Sequence, residues 1–308
     1  MARLLHAAFK FELDDMSKHR DGGLQSLMAD LAAGRVTEDP FPVTATARLQ
    51  DYLRDITQDQ SLALPAGAQV QKQPVDVLLL GGALKAMGDP DANSMVLYAT
   101  GVPVGLGVEM PRTPMVFPPK QKWSLREQPE WGGPSWRSEA FEGVTMANYP
   151  SAVKFKAEVE KVLRDQAKEG QVLVMTEAEA RKRYGTRLTI AALSALEKST
   201  SPEGLVEVRV LHDGTNGVSV NRFIQVRDGG ISPTAADMKA ALRLQLERKR
   251  PFWGLTADIK GAHRLVAVRP EDWPLIACQL EAGGDVFLNT VGTFGVSSAS
   301  YWWGRLIA

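Results

Sequence analysis

Residues able to do chemistry are few in this chain, and their types narrow what it can be. It carries four histidines (His6, His19, His212 and His263) and a single cysteine, Cys278, spread so widely that no zinc-ligand spacing forms and no intramolecular disulfide is available. A reducing compartment is the expectation. Asp213-Gly214-Thr215 is not the Asp-[Thr/Ser]-Gly loop of aspartic proteases. The glycine pair in DVLLLGGALKAMG has neither a GxxxxGK[ST] nor a GxGxxG pattern around it, so packing in a buried strand or short helix explains it. No recombinase, integrase or RNase H cluster is visible. What is left is a small set of cations and carboxylates. Asp258 sits in GLTADI, whose alternation predicts a strand with the carboxylate opposite Leu255, Ala257 and Ile259, and this strand is expected beside a hairpin of LIACQL and DVFLNT.

The elements that must position these residues are clearest after Tyr149. YPSAVKFKAEVEKVLRDQAKEG places Val159, Val162 and Leu163 on one face of an amphipathic helix that ends at Gly170. In TEAEARKRYG, Thr176 precedes Glu179 by three residues, a capping box opening another helix. LTIAALSAL and LVEVRVL read as a hairpin joined by EKSTSPEG, and HDGTNG adds two turn dipeptides. SPTAADMKAALRLQLERKRP predicts a helix with Met238, Leu242 and Leu246 as its stripe, Arg248, Lys249 and Arg250 at the negative end of its dipole, and Pro251 as its stop. LIACQL and DVFLNT form a second hairpin, and SSASYWWGRLIA starts as a capped helix. The first 149 residues alternate helical pieces with proline- and glycine-rich connections, and PRTPMVFPPKQKWSLREQPEWGGPSW reads as a connector lying over the body of the protein.

Composition sets the outer limits. The chain has 308 residues, 44% hydrophobic and 23% charged, enough for about two domains. Thirty-six basic residues balance thirty-six acidic ones, so any polyanion site must be local. Outside the amino terminus the longest mainly apolar stretch, Val75 to Leu80 with Asp76 inside it, is far below the roughly 20 residues of a membrane helix, so no membrane partner is expected. An intracellular protein is expected, with cytoplasm and nucleus not distinguished.

Val208 to Asp213 with Asn221, Asp258 to His263, VRPEDWPLIACQL and Thr293 to Ala299, four blocks in order, resemble a retroelement reverse transcriptase, and the wording HDGTNGVSVN is most similar to the DIRS-like group that moves with a tyrosine recombinase. The hairpin ending in Val208-Arg209-Val210-Leu211-His212-Asp213, with Asn221 beyond, resembles the fingers pattern R-x-x-x-D…N. Asp258-Ile259-Lys260-Gly261-Ala262-His263 looks like D-[IL]-x-x-A-[FY], the first palm block. VRPEDWPLIACQL resembles its continuation, and Thr293-Phe294-Gly295-Val296-Ser297-Ser298-Ala299 looks like P-[FQ]-G-L-x-x-A. The resemblance covers about the last half of the chain. It implies an α+β fold: right-hand polymerase fingers and an incomplete palm over 150–308, after an upstream mixed α/β region of unknown role over 1–149.

The implied activity is RNA-directed DNA synthesis, a nucleotidyl transfer by two Mg²⁺ ions about 4 Å apart. Asp258 is then the catalytic carboxylate and a metal ligand, with the carbonyl of Ile259 as a further ligand. Lys198 and Arg209 clamp the incoming nucleotide, Ala262 and His263 line its sugar, and Phe294 and Gly295 form the turn against base and template. Asp213 and Asn221 shape the template path. The implied partners are an RNA or DNA template-primer and deoxynucleoside triphosphates. Plainer readings stay open: Asp258 as a strand-end carboxylate, Arg209 as a salt-bridge partner, Lys198 as a solvated turn residue, Asp213 and Asn221 as turn formers, and Phe294 as core.

Two departures from the family pattern carry consequences. His263 stands where the family has Phe or Tyr, the ring that blocks a ribose 2′-hydroxyl. The Tyr-x-Asp-Asp hairpin is absent: the acidic residues after Asp258 are Glu271, Asp272, Glu281 and Asp285, and none forms an aspartate pair. The chain by itself is therefore expected to be inactive, and the alternative is a non-catalytic nucleic-acid-binding or structural remnant of such a polymerase. Trp302 and Trp303 are expected to leave an exposed apolar patch near the carboxyl terminus.

Overall fold

A computed structural model describes residues 2–18, 22–36, 42–57, 62–73, 75–120, 144–200, 206–249 and 258–307. The fold is mixed α+β, and the chain divides into two compact units, Met1–Gln69 with Val75–Ala99 and Val70–Pro74 with Thr100–Ala308. The division falls near residue 100 rather than 149, so the described residues 100–120 and 144–149 belong with the second unit.

The first unit is helical: α1 (Ala2–Lys18), α2 (Gly23–Ala32), α3 (Val43–Thr57), α4 (Val77–Ala86) and α5 (Met95–Thr100). Arg48 of α3 grips Glu12 of α1 through two bonds of 2.9 and 2.6 Å. The glycine pair sits inside α4 and is buried; a Cβ on Gly81 would meet Leu62 at 2.2 Å, so close packing explains that glycine.

The second unit is built on a four-stranded sheet. Its helices and strands run α6 (Pro150–Lys154), α7 (Lys156–Lys168), β1 (Val172–Thr176), α8 (Glu177–Tyr184), β2 (Ile190–Ala191), β3 (Leu193–Thr200), β4 (Val206–His212), α9 (Val220–Phe223), α10 (Ala235–Glu247), β5 (Ala277–Gln279), β6 (Asp285–Asn289) and α11 (Ser297–Leu306). Strand order is β1-β6-β5-β2, antiparallel except for the parallel β2–β5 pair. Alternation along β5 and β6 divides their side chains between two cores. Cys278 and Phe287 join Val159 and Leu163 of α7, whereas Ala277, Val286 and Leu288 join Ala180 of α8. Both faces are covered, which is why β6 reads as a nearly continuous apolar run.

The predicted capping box of α8 is present, with Thr176 and Glu179 bonding each other's backbone N–H. α10 also forms, opened by a Thr234–Asp237 capping box, but Met238, Leu242 and Leu246 of its stripe are all exposed. The single helix expected after Tyr149 is broken at Phe155 (φ −104, ψ 34) into α6 and α7.

Both expected hairpins form. A strand through Asp258 beside the β5–β6 hairpin does not extend to Asp258 or Ile259, which lie in irregular backbone; residues 254–257 are outside the described set. The physical reason is occupancy. β1 pairs with β6 from Val172↔Asn289 to Thr176↔Asp285, and β2 takes the free side of β5, so the hairpin has both neighbours already.

The tryptophan expectation is also corrected. Trp302 is 1% exposed, packs edge-on to Tyr301 at 5.0 Å and donates its indole N–H to the Pro103 carbonyl at 2.8 Å. The surface that covers it comes from residues 102–104, which run beside 267–269 through the Val102↔Val268 bridge. Arg305, one turn on, is buried against Asp228 at 3.0 Å.

Candidate functional site

The β3–β4 hairpin, the turn after Asp258 and the Phe294–Gly295 turn enclose a groove of about 520 Å³. Lys198, Arg209, Asp258, Ile259, Ala262, His263 and Phe294 all line it, joined by Lys260, His212, Arg264, Asn289 and Gln166. Seven of the ten singled-out residues thus meet on one surface, although α10 separates Arg209 from Asp258 in the chain. Gly295, Asp213 and Asn221 lie behind it.

Strand geometry explains how the cations reach the groove. β3 and β4 pair in register up to Glu197↔Val208, then resume at Ser199↔Glu207, which leaves Lys198 as the extra residue of a bulge. Bulges re-aim a side chain. Here Lys198 bonds Glu207 at 2.6 Å, so its charge is matched within the hairpin. Arg209 makes no ion pair among the described residues; its guanidinium lies over the Phe294 ring, 5.6 Å from the centroid. His263 meets the same ring at 5.0 Å and a 54° tilt, and its Nδ1 has no hydrogen-bond partner. Burial holds its imidazole below the ordinary pKa, favouring the neutral ring.

Asp213 and Asn221 build the frame behind these groups. Asp213 accepts from the backbone N–H of Thr215 and Asn216, the Asn216 amide and the Tyr149 hydroxyl. Burial raises its pKa, but these donors outweigh burial and bring it down to about 2. Asn221 donates to the Gly295 carbonyl at 2.6 Å and accepts from the Ser297 N–H at 2.8 Å. His212 N–H donates to the Phe294 carbonyl, tying the end of β4 to the same turn. Gly295 adopts φ +94, and a Cβ there would stand 1.7 Å from the His212 carbonyl oxygen. The turn-former readings of Asp213 and Asn221 match these bonds, and the Asn221 bonds fix the turn carrying Phe294.

Two groove residues had not been singled out. Arg264, 8% exposed, spends four N–H bonds on neutral oxygens: Asn289 Oδ1 at 2.6 Å, Gln166 Oε1 at 2.8 Å, and the side-chain and main-chain oxygens of Gln171. Burial lowers its pKa to about 10. His212 is 3% exposed, and neither ring nitrogen has a partner. Burial, with a smaller push from the Arg264 charge against the pull of Asp213, drives it down to about 4. The alternation of β4, which turns Val208 and His212 to the buried face, was the available signal for His212. Arg264 gives none, because its partners come from α7, the turn after α7, and β6.

Asp258 is exposed, and the other carboxylate on the groove wall, Glu207, is occupied by Lys198. Among the described residues no cluster of three or more His, Cys, Asp or Glu side chains could hold a metal ion. These residues alone do not fit a pair of Mg²⁺ ions, which need several oxygen ligands each. Among them, too, no helix is long and apolar enough to cross a membrane. No family model and no curated protein matches the chain.

Proposed function

We propose that the second unit comprises the fingers and first half of the palm of a retroelement RNA-directed DNA polymerase, and that the groove receives the incoming deoxynucleoside triphosphate. One observation supports this above the rest: Lys198, Arg209, Asp258, Ile259, Ala262, His263 and Phe294, drawn from separate segments by resemblance alone, line a single groove. In this reading Arg209 meets the phosphates with its forked donors, while Phe294 and His263 offer ring faces to base and sugar. Asp213 and Asn221 act behind the surface, holding the turns in place. Among the described residues Asp258 is the one unmatched carboxylate in the groove.

That same scarcity of carboxylates favours a second reading, a nucleic-acid-binding module of polymerase descent that performs no transfer. Fluorescence anisotropy with a labelled RNA–DNA template-primer, with and without deoxythymidine triphosphate, tests the shared part. Saturable binding that Arg209→Ala weakens supports the groove as the nucleotide site, and binding indifferent to Arg209→Ala sinks it. Primer extension with Mg²⁺ then separates the two: extension lost in Asp258→Ala supports the polymerase, and binding without extension supports the module.

A further inference from the structure

The groove floor holds two groups that the polymerase reading leaves unused. Arg264 is a buried cation whose described partners are all neutral amides, and the four bonds it makes leave one Nη1–H of its five donors uncommitted. His212 lines the same groove, is 3% exposed, and has both ring nitrogens without a partner. A structural pin accounts for the amide bonds of Arg264. It does not account for a buried cation to which no carboxylate is bonded, Glu169 acting on it only through space, beside an unsatisfied imidazole, because buried polar groups are otherwise nearly always bonded. Higher up, Arg209 and Lys260 add two further cations, and among the described residues the only unmatched carboxylate lining the groove is Asp258.

We propose that Arg264 and His212 form an oxyanion-binding subsite on the groove floor that takes a phosphate group. The free Nη1–H of Arg264 and one imidazole N–H donate to it, and the phosphate supplies the anionic partner that the guanidinium's hydrogen bonds do not provide. Arg209 and Lys260 make a polyphosphate a better fit than a single carboxylate, since more than one negative charge is then matched. The inference shares the groove and Arg209 with the polymerase reading, but its subsite rests on Arg264 and His212, which that reading does not employ.

The probe is inorganic pyrophosphate, added to the full chain carrying ¹⁵N-labelled histidine and compared with sodium chloride of equal ionic strength. His212 imidazole signals, assigned by their loss in His212→Phe, are expected to shift saturably with pyrophosphate. In Arg264→Gln the half-saturation concentration should rise about tenfold, whereas Arg264→Lys should recover part of the loss. The wild-type titration decides even where a variant does not fold: His212 signals that ignore both pyrophosphate and deoxythymidine triphosphate overturn the subsite. A response to pyrophosphate identifies a free oxyanion as sufficient, and a response to the triphosphate alone identifies a nucleotide-borne one. If the triphosphate binds without moving His212, the subsite fails and the polymerase reading stands; if pyrophosphate moves His212 and neither template-primer nor triphosphate binds, the reverse holds.

Discussion

The Arg209 guanidinium lies over the Phe294 ring, 5.6 Å from its centroid, and so joins the β3–β4 hairpin to the turn that opens α11. Across the hairpin Arg209 stands opposite Leu196, itself 53% exposed, so little but the ring and solvent surrounds the charge. An exposed cation–π contact of this kind is worth about 0.5–1 kcal/mol. Arg209→Ala is therefore expected to leave unfolding free energy within about 1 kcal/mol of wild type while weakening triphosphate binding about tenfold or more. Isothermal titration alongside urea unfolding checks both halves. Arg209→Lys should recover only part of the affinity, because an ammonium lacks the planar fork.

The turn beneath Phe294 depends on one glycine. At Gly295 a side chain meets two obstacles together, a left-handed φ of +94 and a His212 carbonyl oxygen 1.7 Å from the new Cβ. Gly295→Ala should cost about 3 kcal/mol or more, and it should also loosen Asn221, whose amide bonds the Gly295 carbonyl. Gly304, inside the helix α11 that this turn opens, gives the opposite case. Nothing lies within 4 Å of its would-be Cβ, so Gly304→Ala should stabilise by about 0.5–1 kcal/mol through helix propensity. Equal effects at the two positions would show that the turn, rather than glycine itself, has been misjudged.

What could be read in the sequence was local. The Thr176–Glu179 capping box spans four residues and forms as expected, and the β5–β6 hairpin announced itself by two apolar runs about a glycine turn. What could not be read was which strands would flank that hairpin. β1 precedes β6 by most of the unit and β2 pairs in parallel with β5, and neither choice leaves a mark in the strands' own residues. Asp258 was consequently given a strand whose place is filled by others. The groove survived this error because its residues need only converge: Arg209 comes with β4, Phe294 with the turn bonded to the end of β4, and His263 with a short helical turn, Ala262–Leu265, against that ring. Arg264 escaped notice because a cation bound by three scattered amides has no spacing to betray it.

Trp302 and Trp303 are neighbours with unequal burdens. Trp302 is fully enclosed and bonds Pro103, whereas Trp303 is only partly buried. Trp302→Ala should cost about 3–5 kcal/mol, the sum of lost burial and an unfilled cavity. It should also detach residues 102–104 from the body, since the Pro103 carbonyl loses its donor; Trp302→Phe would keep much of the packing but not that bond. Trp303→Ala should cost about 1 kcal/mol. Chemical denaturation of the three variants, with hydrogen exchange at the Val102 and Val104 amides, separates packing from tethering.

Acid should weaken the fold in two successive windows. His212 has an ordinary pKa of 6.5 when unfolded and about 4 when buried, so its folded form favours the neutral ring. The sign follows from proton counting: below pH 6.5 the unfolded chain binds a proton that the folded chain refuses, so stability falls from about pH 6.5 to about pH 4 and then levels for this group. A shift of that size corresponds to roughly 3 kcal/mol. His263 is shifted in the same direction by burial and adds to the decline. The carboxylates act later and in the same sense. Glu177, lowered to about 2 by donors from Gln279, Gly283 and Arg181, contributes stability that is complete above its ordinary 4.5 and lost as pH falls through 2. Asp213 behaves likewise between 3.8 and about 2. Urea unfolding at pH steps from 7.5 to 3, in phosphate-free buffers so that the groove stays empty of oxyanions, should show this decline. His212→Gln removes one titrating group and should flatten the upper window while leaving the lower one unchanged. A stability profile flat from pH 6.5 to 4.5 in the wild-type chain would mean that His212 is hydrated and protonates in the folded state.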